Sequence, residues 1–194
     1  MDQRYSGPMS TQAHDPIAQS VIRFWFEEST PQQWFGKDAA FDANIRERFG
    51  SVLEQGTRGE LWGWRTDALG RLAEIIVLDQ FSRNVYRDTP RAFAQDGMAL
   101  VLAQEVIALG LDSAFTEAQK AFTYMPLMHS ESISVQAESI RQFTALGNPV
   151  NLDFAQRHRD IVQRFGRYPH RNAILGRTSS AEEVAFLQTP GSSF

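Results

Sequence analysis

The sequence predicts an all-α protein, and three observations carry that expectation. Helix-capping residues recur at the head of apolar segments, the apolar residues inside those segments hold a period near 3.6, and no window alternates with period 2 through β-branched residues. Only a few residues separate the periodic segments, so neighbouring helices are expected to run antiparallel, as a bundle or as stacked hairpins.

Asp15 followed by Pro16 is an N-cap with proline at the first helical position, and Ile17, Val21, Phe24 and Trp25 then share a face. Asp38 caps a helix in which Phe41, Ile45, Phe49, Val52 and Leu53 keep step up to Gly56. Thr66 opens another through Leu69, Leu72 and Ile76. Thr89–Pro90 repeats the cap-and-proline signature ahead of Leu102, Val106 and Leu109, with Gly110 as the left-handed stop. Thr116 opens a helix that should break or kink near Pro126. Ile133, Ala137 and Ile140 mark the next, closed by Gly147, and Phe154, Ile161, Val162 and Phe165 mark one closed by Gly166. Ser179 with Glu182 reads as a capping box for a short last helix. The count is about eight to ten helices, with Phe24, Trp25, Phe41, Phe81, Phe122 and Phe165 expected inside.

A chain of 194 residues suits one domain with a real core. Residues 1–14 read as a flexible N-terminal segment, 15–188 as a single helical domain and 189–194 as a tail. The first residues lack the basic start and apolar stretch of a secretory signal, and the longest aliphatic run, Ile75 to Leu78, is far short of a membrane span. A cytoplasmic protein without membrane contact is expected. The net charge of −4 gives no reason to expect nucleic acid as a partner. With no cysteine there is no disulfide framework, thiolate nucleophile or Cys-ligated metal, and nothing else calls for a metal or another cofactor. The 17 Arg against 2 Lys fit the codons of a G+C-rich genome, so only local clustering of arginine bears on function.

Three segments hold polar residues that solvation alone does not explain. In residues 72–87 an apolar helix turns polar: Asp79, Arg83 and Arg87 fall at i, i+4, i+8, with Gln80 and Asn84 as an adjacent row. This is either an ion-paired helix end or a polar wall on a rigid element. In residues 124–132, Pro126 is followed by His129 and Glu131, which are too close in sequence to share a helical face as metal ligands. Each remains able to move a proton alone, or Glu131 merely complements the next helix's dipole. In residues 158–177, His158 falls on the core stripe. From Arg141 to Arg177 seven arginines face two acids, Asp153 and Asp160, and Arg164, Arg167, His170, Arg171 and Asn172 crowd the bend at Gly166 and Pro169. Guanidiniums beside free backbone N–H groups make an anion site; the plainer reading is a junction whose arginines cap carbonyls.

Four blocks carry a resemblance to a bacterial family, the domain of unknown function 924: VIRFWF (21–26), IIVLDQFSRNVYR (75–87), YMPLMHSE (124–131), and RFGRYPHRNAILGR with SSAEEVAFL (164–187). The resemblance spans about residues 15–188. It implies a tetratricopeptide-like superhelix of stacked antiparallel helix pairs, although no clean 34-residue repeat is legible, and it supplies no reaction. The family's characteristic polar positions fall here on Asp79, Gln80, Arg83, Asn84, His129, Glu131, His158, Arg167, His170, Arg171 and Asn172.

The leading functional expectation is a concave pocket binding an anionic small molecule or a peptide carboxylate. Its ligand-binding residues would be Asp79, Gln80, Arg83, Asn84, Arg167, His170, Arg171 and Asn172, with only Asp79 and Glu131 to offset the positive groups. An alternative is an enzyme in which His129 or His158, partnered by Glu131 or Asp79, acts as general acid and base. The second alternative is a buried polar network that only fixes helix register. GxSxG, GxxxxGK and HExxH patterns are all absent, so neither a serine-elbow nor a zinc-protease mechanism has support.

Overall fold

The computed structural model describes residues 13–193, so the loose N-terminal segment expected for residues 1–14 falls almost wholly outside the described residues. Among them are nine helices and no strand. Helix α1 (residues 16–28) starts as the α-helix Pro16–Arg23 and ends in a π-helical turn, Phe24–Glu28; α2 is Pro31–Phe35 and α3 is Ala39–Thr57. Helix α4 (residues 68–85) is α-helical over Ala68–Ile75, π-helical over Ile76–Phe81 and α-helical again over Ser82–Val85. Helices α5 (Asp96–Ala108), α6 (Glu117–His129), α7 (Ile133–Leu146), α8 (Pro149–Phe165) and α9 (Ala181–Leu187) complete the chain.

Caps explain most boundaries. The Asp15 carboxylate accepts from the amides of Ile17 and Ala18, and Asp38 does the same for Ala40 and Phe41. Thr116 and Gln119 form a reciprocal capping box at α6. Gly110, Gly147 and Gly166 take positive φ after α5, α7 and α8, where a side chain would be strained. The end of α1 is satisfied by side chains: Ser29 Oγ donates to the Phe24 carbonyl at 2.7 Å and Trp34 Nε1 to that of Trp25 at 2.8 Å.

Helix α4 is the core element. Residues 72–82 are buried without a break, so it is covered on all sides. Helices α1, α3, α5 and α6 pack against it, while α5 through α8 each pack on the next. Connections as short as residues 130–132 and 147–148 return the chain antiparallel. Phe24, Trp25, Phe41, Phe49, Phe81 and Phe122 form an aromatic cluster with centroids 5.1–6.1 Å apart, including an edge-on contact of Trp25 and Phe122 at 5.4 Å. A separate small cluster of Ile161, Val162 and Tyr168, with Phe165 and Phe186 against it, sits under the C-terminal segment.

Several expectations need correction. Thr89–Pro90 opens only the short 3-10 turn Pro90–Ala92; the Thr89 hydroxyl bonds back to the Tyr86 carbonyl, and α5 starts at Asp96. The caps expected at Thr66 and Ser179 are one residue on, at Asp67 and Ser180, because those side chains reach the amides of Gly70 and Glu183. Helix α6 does not break at Pro126 but continues to His129. Packing on both sides keeps residues 121–128 buried, which outweighs one lost backbone bond. In α7 the expected apolar stripe faces the wrong way: Ile133 is 51% exposed, and Gln136, Ser139, Gln142 and Phe143 are the buried residues. Ile17, Leu109 and Phe154 are likewise exposed, and Phe165 is only half-buried.

At Gly70 the main chain of α4 nearly touches the preceding turn. A Cβ there would lie 1.9 Å from the Trp64 carbonyl oxygen, a backbone atom that cannot swing away. Gly70→Ala is therefore expected to lose about 2 kcal/mol or more in urea unfolding, despite alanine's better helix propensity. An unchanged or raised midpoint would mean that the turn gives way freely.

Candidate functional site

The π turn Ile76–Phe81 places Asp79 and Gln80 side by side within the core, and all six of its residues are buried. Such turns often mark functional positions in helices. Asp79 is 0% exposed, so its charge must be fully compensated. Oδ1 lies 2.7 Å from His129 Nδ1 and accepts from Arg83 Nη1 at 3.1 Å, while Oδ2 accepts from Gln80 Nε2 at 2.6 Å. Arg83 Nη1 also donates to the Asp79 carbonyl at 2.7 Å.

Arg83 then turns to Asp96, the first residue of α5, with Nη1–Oδ1 at 3.0 Å and Nη2–Oδ2 at 3.1 Å. Asp96 Oδ2 also accepts from Arg171 Nη1 at 3.1 Å, and Arg171 Nη2 donates to the His129 carbonyl at 3.1 Å. The Arg171 guanidinium is flanked by the rings of Phe93 and Tyr168, 4.5 and 4.7 Å away. An unbroken run of polar contacts thus links His129, Asp79, Arg83, Asp96 and Arg171, drawn from α4, α5, α6 and the 3-10 turn Pro169–Arg171.

Above this run opens a cavity of about 300 Å³. Its apolar side is formed by Pro90, Phe93, Leu100 and Leu175, and its polar side by Asp96, His129, Ser130, Glu131 and Arg171. His129 turns Nδ1 to Asp79, which assigns the proton to Nδ1; the ring's hydrogen bond is made by Nδ1 alone, and the residue borders the cavity.

The charge states follow from these contacts. Burial alone would raise the Asp79 carboxyl, but the positive charge of Arg83 and the His129 and Gln80 hydrogen bonds outweigh it and hold Asp79 well below the usual carboxylate range. Burial and then the Arg83 charge push His129 down against the pull of Asp79, so its imidazole is neutral at neutral pH. Burial likewise takes His158 to about 3 and His170 to about 4.

The other expected residues have different partners. Asn84 donates to Asp42 of α3 at 2.7 Å, beside a two-bond pair of Arg87 with the same carboxylate. Arg167 is paired with Glu183 of α9 and the Thr178 carbonyl. Asn172 donates to Ser179 Oγ and accepts from Arg177. Glu131 reaches the cavity wall, yet its carboxylate accepts from the Tyr168 amide at 2.7 Å and from Arg177 at 2.7 and 2.9 Å. His158 stands behind His129, ring centroids 6.4 Å apart, with Nδ1 2.8 Å from the Phe154 carbonyl, and His170 neighbours Tyr168 at 5.6 Å. Of the eleven polar positions singled out from the sequence, Asp79, Gln80, Arg83, His129 and Arg171 therefore meet directly, and Glu131 borders them. Asp96 is the residue that sequence reasoning missed. It corrects the expected charge balance, because three acids rather than two stand against the arginines.

Among the described residues no three His, Asp or Glu side chains gather as a metal site, and no helix is long and apolar enough to cross a membrane. The family described as "Bacterial protein of unknown function (DUF924)" matches residues 21–191. The chain belongs to the DUF924 family. A solved structure of a protein of unknown function from Agrobacterium tumefaciens is 40% identical to this DUF924 chain, with a TM-score of 0.85, covering 89% of this chain and 97% of that one. No curated protein matches the DUF924 chain. The matched segment includes the whole of α4 and α5.

Proposed function

We propose that the cavity binds a small molecule through an anionic group, with Arg171 as the anchor and the apolar side receiving the ligand's hydrocarbon part. One observation carries this reading. Arg171 is 7% exposed and lines the cavity, yet its Nε–H has no acceptor in the protein. A buried donor left unmatched costs about 1–3 kcal/mol, which a ligand oxygen would recover. The volume suits a small metabolite better than a peptide end. Asp96 already occupies one edge of the guanidinium, and the Nε–H is closed off from solvent, so a ligand oxygen reaches it only with a local shift of the cavity wall.

The test is thermal unfolding with butyrate, acetate and inorganic phosphate as probes. Butyrate at about ten times its dissociation constant should stabilise by about 1.4 kcal/mol, or roughly 3–5 °C for a chain of this size. Arg171→Met keeps an unbranched side chain beside Phe93 and Tyr168, without the guanidinium, and leaves Asp96 paired with Arg83, so it should fold and show no shift. An equal shift in the variant, or none in the wild type with any probe, would defeat the reading. A variant that no longer folds would mark Arg171 as a structural strut. Arg83 is a poorer choice for this experiment, because removing it strands Asp79.

A further inference from the structure

We infer that the same cavity is a hydrolytic centre in which His129 activates water as a general base and Asp79 positions it. The inference rests on the cavity being a ligand site, and it adds a reaction to that site. Three features of the geometry converge on it. First, Asp79 is fully buried and faces Nδ1 at 2.7 Å, which fixes both the tautomer and the ring orientation. The imidazole therefore presents the lone pair of Nε2, and any proton gained there is balanced by a carboxylate already in place. Second, the hydrogen bond of this ring is made by Nδ1 alone, the side chain keeps 15% exposure, and the residue borders the cavity. A histidine kept for packing alone would have both nitrogens engaged or buried. Third, the other ionisable groups on the cavity wall are already committed: Asp96 to two arginines, Glu131 to Arg177 and the Tyr168 amide. His129 is the group there with a nitrogen left to accept and return a proton.

The chemistry narrows further. The chain has no cysteine, and the hydroxyl of Ser130, the serine on the cavity wall, is held by the Ser132 amide with no basic side chain among the described residues hydrogen-bonded to it to activate it. The nucleophile is then water rather than a side chain. His129 Nε2 takes a proton from water as the water oxygen bonds to the carbonyl carbon of a small carboxylic ester. The bond from that carbon to the leaving oxygen breaks, and the imidazolium returns the proton to the leaving oxygen. Ester and water give acid and alcohol, with no other reactant. Asp79 is a positioning residue, because it touches the histidine and not the substrate.

The probe is p-nitrophenyl acetate with the full-length protein, followed by release of p-nitrophenolate above the rate of the heat-unfolded chain. The wild-type rate should rise with pH through an apparent pKa below 6.5 and then level off, the ordinary imidazole being 6.5. His129→Gln should lower the plateau rate by a factor of about 100 or more. Asp79→Asn, which keeps the volume, should lower it at least tenfold and leave a long-range ¹H–¹⁵N spectrum with His129 no longer held as the Nδ1–H tautomer. Equal rates for wild type and His129→Gln would overturn the proposal, as would a wild-type rate no greater than that of the unfolded chain. If His129→Gln does not fold, Asp79→Asn decides: a full rate with a disordered tautomer overturns the role of the pair. The butyrate shift is measured in the same His129→Gln protein. A retained shift with lost hydrolysis separates catalysis from binding; hydrolysis dependent on His129 without any butyrate shift would instead fault the anion reading alone.

Discussion

Asp79→Ala is expected to cost about 3–5 kcal/mol of unfolding free energy. The change removes the carboxylate that pairs with Arg83 and His129 and receives Gln80, all inside the core. What remains is a guanidinium with one of its two compensating acids gone, an imidazole with an unmatched Nδ1–H, and a small void beneath α4. Asp79→Asn keeps the volume and one acceptor oxygen, so it should cost clearly less. Urea titrations of the three proteins at pH 7.5 measure both differences. A loss below about 1 kcal/mol for Asp79→Ala would show that Asp96 alone suffices for Arg83.

Acidification should have a comparable effect. His129, His158 and His170 all have pKa values lowered on folding, from an ordinary 6.5 to about 3 for His158 and about 4 for His170. Below pH 6.5 the unfolded chain takes up protons that the folded chain refuses, so stability falls as pH falls. The contribution is complete above pH 6.5 and is lost down to the folded pKa values. At about 1.4 kcal/mol per pH unit, His158 and His170 should each cost roughly 2 kcal/mol at pH 5. The Asp79 and Glu131 carboxylates, whose pKa values are lowered, add to the loss only in more acidic solution. His158→Gln should flatten the slope between pH 6.5 and 5. A stability that stays constant between pH 7.5 and 5 would mean that the histidines are hydrated in the folded state.

Helix starts were legible in the sequence because a cap is local chemistry: Asp15, Asp38 and Thr116 each bond to amides two or three residues on. The buried face of α7 was not. Gln136 is buried because its amide reaches the carbonyls of Met128 and Ser130 and the hydroxyl of Tyr168, 32 residues away, and a count of apolar residues cannot register such partners. Asp79, Arg83, His129 and Arg171 stood out as polar groups in apolar or crowded settings. Asp96 did not, because a single acid between Gln95 and Gly97 in a chain with 23 acids has no local feature that sets it apart. Its real role depends on Arg83 and Arg171, which lie 13 and 75 positions away. Arginine clustering at the Gly166–Pro169 bend, together with the family resemblance, pointed to Arg167 and Asn172, and in the structure nearby acids and hydroxyls bond to both.

The separate apolar cluster under residues 161–168 has a consequence for the dynamics of the cavity. Tyr168 and the turn that follows are fastened to the larger core mainly by polar ties: the Tyr168 amide and Arg177 to Glu131, the Tyr168 hydroxyl to Met128 and Gln136, and Arg171 to Asp96. Such ties weaken together in acid, whereas the packing around α4 does not, so this end of the chain is expected to open before the rest. Amides of residues 167–177 should exchange with solvent deuterium sooner than those of 72–82. Because Arg171 travels with that unit, each such opening dismantles one wall of the cavity and each reclosure rebuilds it. A ligand held by Arg171 would slow exchange across the whole unit, including amides it never touches.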